Sequence, residues 1–166
     1  MACWTRLQRR FETIRRVPFK FLFQPPSNFL AFGFGVGLSP IAPGTLGSLV
    51  ALPLVWLLKD TTDLVYLSLV LVLFLAGVRI CSVAAKSLGV HDHPGIVWDE
   101  IVGILLVFML VPVTTATLIA GFLLFRFFDI VKPWPIRRLD SNVHGGLGIM
   151  IDDVAAGLAS AILLWL

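Results

Sequence analysis

Apolar positions in this chain come as long runs separated by more polar stretches. From Phe29 onward there are five apolar segments: Phe29 to Leu58, about Leu64 to Ile80, Ile96 to Val111, Ala116 to Val131, and Ile149 to Leu166. The window rule for membrane helices predicts an all-α, polytopic membrane helix bundle of about four to five spans. Several segments are short for a bilayer, so their polar ends are expected to reach an interface. The first is interrupted by GLSPIAPGTLGS, Gly37 to Ser48, which packs two prolines and three glycines into an apolar context. Proline breaks a helix interior, and unpaired backbone is costly in lipid. A broken first helix is therefore expected, with Phe29 to Leu38 dipping in or lying on the surface and Leu46 to Leu58 making the first crossing.

Composition strengthens this picture. Of 166 residues, 58% are hydrophobic and only 14% charged, with a mean hydropathy of +0.94. A soluble domain carries about 25% charged residues and could not hide so much apolar surface. Two parts are expected: residues 1–28 as a basic interfacial arm, and 29–166 as the membrane-embedded domain. Cys3 and Cys81 lie far apart, in no metal or redox spacing, and read as free thiols.

Charge fixes an orientation. The arm carries Arg6, Arg9, Arg10, Arg15, Arg16 and Lys20 against Glu12. The loop VKPWPIRRLDSNVHGG carries Lys132, Arg137 and Arg138, and the end of the second span has Arg79 and Lys86. By contrast Lys59 to Asp63 is net negative and Pro112 to Ala116 uncharged. The positive-inside rule puts the first group in the cytoplasm and the second outside. The arm is expected to lie on anionic membrane lipids rather than to bind nucleic acid.

Ionisable residues inside membrane segments are expensive and mark function by default. Asp99, Glu100, Asp129, Asp152 and Asp153 all fall at the cytoplasmic ends of their segments in this topology, together with the break at Gly37 to Ser48. Five carboxylates in one low-dielectric layer repel one another, and a divalent cation resolves the conflict. Hard oxygen ligands suit Mg²⁺, which shares its coordination between a few carboxylates, water and a substrate phosphate. Adjacent helical residues point about 100° apart, so neighbouring acids divide their roles. Glu100, Asp129 and Asp153 are the expected metal ligands, and one of each adjacent pair orients water or pairs with Arg126 or Lys132. The competing reading is plain interhelical salt bridging, for example Arg126 with Asp152. Gly44 or Thr45 is expected to cap a helix from Leu46 to Leu58, whose N–H groups, with Lys132 and Arg137, would hold a phosphate. Arg138 and Trp134 are left to interfacial anchoring. His91 and His93 form a His-x-His pair, read as a polar turn rather than a metal site, and His144 carries the same ambiguity.

The motifs GLSPIAPGTLGSL, GVHDHPGIVWDEIVG, DIVKPWPIRRLD and VHGGLGIMIDDVAAG closely resemble the phosphatidylglycerophosphatase A family, from about Phe29 to the C-terminus. The resemblance implies a Mg²⁺-dependent bacterial inner-membrane enzyme that converts phosphatidylglycerophosphate to phosphatidylglycerol. It carries over to Thr45, Asp99, Glu100, Asp129, Lys132, Arg137, Asp152 and Asp153. Two rivals stand beside it. A transporter or proton-relay protein also uses membrane carboxylates and broken helices, but predicts a repeated half, which this chain lacks. A CDP-alcohol phosphatidyltransferase needs a dense acidic run on one segment, whereas these acids come from three. The sequence leaves the oligomeric state open, along with the choice between water and an aspartyl nucleophile.

Overall fold

The structure is a computed structural model that describes residues 17–90 and 93–166, with backbone only for 140–142. The arm's arginines from Arg6 to Arg16, Cys3 and His91 lie outside the described residues. Among those described there is no strand: the fold is all-helical. A short helix α1 (Ser27–Ala31) and two 3₁₀ stretches (Phe19–Phe23 and Gly33–Leu38) precede the bundle. The bundle is α2 (Pro43–Leu58), α3 (Asp63–Leu88), α4 (Trp98–Val107), α5 (Thr115–Val131), the short α6 (Ile136–Asn142) and α7 (Gly145–Trp165).

Helices α3 and α7 are long and apolar enough to cross a membrane. On α3, the buried residues Tyr66, Val70, Gly77, Cys81, Ala84 and Ala85 form one stripe, following the helical repeat. Its other faces expose Leu64, Val65, Leu67, Leu71, Val72 and Leu75. A helix apolar on its outer face as well as its inner one suits lipid, not water. Helices α2 and α5 have 16 and 17 residues, about 24–26 Å at the α-helical rise.

Helix α4 departs from the expected third span. It has ten residues, about 15 Å, half a bilayer core. All but Glu100 are buried, because α2, α3, α5 and α7 all pack on it. Hydropathy counts an apolar run equally whether it meets lipid or protein, so the sequence window took Ile96 to Val111 as one crossing.

The expected break in the first segment is present but built differently. Helix α2 starts at Pro43, not Leu46. Ala42 precedes it in the left-handed region (φ 45°), and no side chain caps the helix, so neither Gly44 nor Thr45 is the cap. Pro43 occupies the first turn, where proline's fixed φ suits a helix start and its missing N–H costs nothing. In KPWPIRR the extended loop stops early, since Ile136 already begins α6.

Candidate active site

Three helix ends meet at one level of the bundle. Helix α2 begins there with Pro43 and Gly44, α4 begins there with Asp99 and Glu100 in its first turn, and α5 finishes there with Asp129 and Lys132. The fourth wall is α7, which passes the junction with Asp152 and Asp153 buried in its interior. A close approach makes the junction possible. A Cβ on Gly44 would collide with Glu100 Oε1 and would stand 3.4 Å from an Arg126 nitrogen. Gly44 thus lets the start of α2 lie directly against the acids.

Asp99, Glu100 and Asp153 each offer a carboxylate oxygen, all within 4.8 Å of one another. Asp129 is a near neighbour of Asp153 and is held by Arg126, whose Nη1 is 2.7 Å from Asp129 Oδ2. The same nitrogen lies 3.9 Å from Glu100 Oε1 and donates to Ser48 Oγ at 3.3 Å. Ser48 in turn donates to the Gly44 carbonyl at 2.9 Å. Arg126 therefore ties the acids of α4 and α5 to the first turn of α2. It pairs with Glu100 and Asp129 and not, as the salt-bridge reading had it, with Asp152. The partner of Asp152 is Lys132, whose Nζ donates to Asp152 Oδ2. The adjacent acids of α7 thus have separate duties, Asp152 on a lysine and Asp153 in the acid group.

Thr45 is half-buried beside this junction, and among the described residues its hydroxyl has no hydrogen-bond partner. Arg137 is exposed on α6, also without a described ion pair. Arg138 lies over the Trp134 ring, 5.9 Å from its centroid, as befits an anchor. His93 is buried and its Nδ1 accepts from the Gly95 N–H at 3.0 Å, so it serves the turn before α4. His144 is exposed ahead of α7.

Whether the junction suits a cation is decided by what its oxygens lack. Asp99 Oδ1 and Glu100 Oε2 are buried with no hydrogen-bond partner. A buried charge without a partner is strongly unfavourable. Oxygens of this kind, three carboxylates within one ion's reach, fit a hard divalent cation. The reach of Arg126 and Ser48 was not legible in the sequence, because it depends on how α5 is rotated against α2. The only signal was an arginine three residues before an aspartate on one helix face.

The profile of the phosphatidylglycerophosphatase A family matches residues 29–166. Phosphatidylglycerophosphatase A of Escherichia coli (strain K12) is 49% identical over 141 residues, covering 84% of this chain and 82% of its own. The protein of the same name from Haemophilus influenzae is 44% identical over 142 residues, covering 84% of this chain and 87% of its own. No solved structure matches the chain. The match takes in all four helices that build the acid junction, and with it the chain belongs to the phosphatidylglycerophosphatase A family of enzymes.

Proposed function

We propose that the protein hydrolyses the phosphomonoester of phosphatidylglycerophosphate to give phosphatidylglycerol, in a Mg²⁺-dependent reaction at the cytoplasmic face of a bacterial inner membrane. The observation that carries this reading is the pair of buried, unpartnered carboxylate oxygens on Asp99 and Glu100, set within reach of Asp153 at the meeting of three helix ends. In this reading the chain is multi-pass. Helices α2, α3, α5 and α7 cross, α4 and the stretch after it return the chain through the protein interior, and the acids lie near the cytoplasmic interface. Residues 29–166 form the catalytic domain, and residues 1–28 lie against anionic lipid.

The acyl chains stay in the bilayer and only the headgroup enters the junction. The terminal phosphate lies against the first-turn N–H groups of α2 and the Thr45 hydroxyl, which favour an anion. Lys132 and Arg137 balance its charge as it is transferred. Asp99, Glu100 and Asp153 would hold the cation, with Asp129 beside them. When bound, Mg²⁺ polarises the phosphoryl oxygens and makes a bound water more acidic. A carboxylate of the Asp99/Glu100 or Asp152/Asp153 pair takes the proton of the attacking water. The water oxygen bonds to phosphorus, the bond from phosphorus to the glycerol oxygen breaks, and that oxygen takes up the proton the carboxylate received. Arg126 offsets the repulsion between Glu100 and Asp129 and holds both against α2. A transporter is disfavoured because the acids form one compact group and not a path.

Purified protein with phosphatidylglycerophosphate should release inorganic phosphate with Mg²⁺ present and lose that activity in EDTA, with recovery on adding Mg²⁺ back. Full activity in the chelator sinks the metal; no release under any condition sinks the reaction. The orientation has its own test. With Cys3 and Cys81 replaced, a thiol reagent added outside intact cells should label Thr62→Cys and miss Ser141→Cys. Labelling at residue 141 from outside reverses the topology and moves the chemistry to the other face.

A further inference from the structure

Away from the carboxylates, α3 and the first turn of α7 enclose a groove of about 450 Å³. Its walls combine Leu75 and Val78 with Arg79, Ser82 and Lys86, and its floor is at Gly146. Gly146 brings the helices together there: a Cβ at this position would collide with the Val78 carbonyl oxygen. Among the described residues no acidic side chain lines the groove, and neither Arg79 nor Lys86 has an ion pair. The lining therefore pairs two unbalanced cations with an apolar wall.

Depth narrows what could fit. With α3 beginning at Asp63 on the opposite face, Arg79 lies about 24 Å along the helix and Lys86 about 35 Å, at the α-helical rise. The hydrocarbon core is about 30 Å thick. The two cations thus bracket the edge of that core, and their long side chains reach along the helix to the phosphates just beyond it. Leu75, on the core side of Arg79, is exposed and continues the apolar wall to where an acyl chain would run.

We propose that this groove is a second lipid site, which holds an anionic phospholipid with its phosphate between Arg79 and Lys86 and an acyl chain along Leu75 and Val78. The inference rests on α3 crossing the membrane, and it is independent of the chemistry at the acid junction. A soluble nucleotide or free phosphate would not use the apolar wall, and a neutral lipid would leave the cations unbalanced.

The test is native mass spectrometry of the full chain in neutral detergent, titrated with phosphatidylserine or phosphatidylcholine. The protein should retain one phosphatidylserine in preference to phosphatidylcholine. The double variant Arg79→Gln/Lys86→Gln should bind it about 25-fold more weakly, taking roughly fivefold for each cation at a membrane surface. Arg79→Lys/Lys86→Arg keeps the charges and should stay within about threefold of the parent on the same scale. Val83→Trp, which fills the groove without touching its charge, should also reduce binding. Glu100→Gln should bind phosphatidylserine as the parent does, which separates this site from the acid junction. Unchanged selectivity in the double variant overturns the proposal, as does complete displacement of the lipid by millimolar inorganic phosphate. Because the readout is bound lipid and not turnover, a chain that selects phosphatidylserine yet releases no phosphate overturns only the proposed reaction.

Discussion

Where α2 turns into α3, and where α4 hands over to α5, polar side chains are numerous, and they are exposed or hydrogen-bonded. Thr61 Oγ1 donates to the Leu58 carbonyl at 2.7 Å, Tyr66 Oη to the Leu105 carbonyl at 2.8 Å, and Thr114 and Thr117 cap α5 reciprocally. Lys59 sits over the Trp56 ring, 3.9 Å from its centroid. A cavity of about 400 Å³ lies among Lys59, Asp63, Tyr66 and Met109. At the opposite end Asp99 Oδ1, Glu100 Oε2 and Arg126 Nε are buried without partners. Both ends have cavities and both have charge. What differs is burial: Asp60 and Asp63 are exposed, whereas the carboxylates of the junction are enclosed. A hollow with answered polar groups is a gap in packing, whereas unanswered carboxylates at a helix junction are a demand for a ligand.

The sharpest way to break this comparison is to remove the demand. Asp99→Asn or Asp153→Asn should cut Mg²⁺-dependent phosphate release at least about a hundredfold, since a bound cation supplies several kcal/mol of transition-state stabilisation. The same substitutions should hold or raise the melting temperature of the metal-free protein, because they relieve repulsion between buried like charges. If they instead destabilise by the ~3–5 kcal/mol expected on breaking a structural buried ion pair, the acids are scaffolding and the contrast between the two ends is empty.

Next in size are the groups that touch the proposed phosphate or hold the acids. Thr45→Val should lower kcat/KM roughly tenfold to a hundredfold, the equivalent of ~1.5–3 kcal/mol for a hydrogen bond to a charged group. Its melting temperature should stay near the parent's, as the hydroxyl has no described partner to lose. An unaltered kcat/KM with lowered stability would reduce the break before α2 to a packing device. Arg126→Lys keeps the charge but loses the guanidinium's geometry, and should raise the Mg²⁺ concentration for half-maximal activity about tenfold, within the range for groups that support metal ligands.

The smallest effect sharpens the contrast from the quiet end. Thr117→Ala removes one half of the capping box on α5 and should cost about 1 kcal/mol of stability. Turnover per folded molecule should be unchanged. A loss of turnover there would mean that the two ends are mechanically coupled through α5.

The sequence carried the all-helical class and the gathering of the acids at one end, because charge asymmetry of loops and the positions of Asp99, Asp129 and Asp153 within apolar runs are both one-dimensional facts. Three features lay beyond it. That α4 is buried on every face depends on neighbours contributed by four other helices. The start of α2 at Pro43 turns on the left-handed Ala42, an unusual conformation for alanine that no composition rule signals. The choice of Arg126 for Glu100 and Asp129, with Lys132 for Asp152, is set by helix rotation, which spacing along the chain leaves free.

Helix α4 also has a consequence for how the protein is made. Its ten residues, two of them acidic, are too short and too polar to be taken up by the insertion machinery as a membrane span in their own right. It is expected to enter the bilayer only as cargo of its neighbours, once α5 has been synthesised and can close over it through Phe125, which packs against Gly103 of α4. A chain truncated after Pro112 should therefore leave residues 93–112 open to protease at the membrane surface, while the full chain, with α5 and α7 in place, should protect them. Protection of the shorter chain would show that α4 inserts unaided.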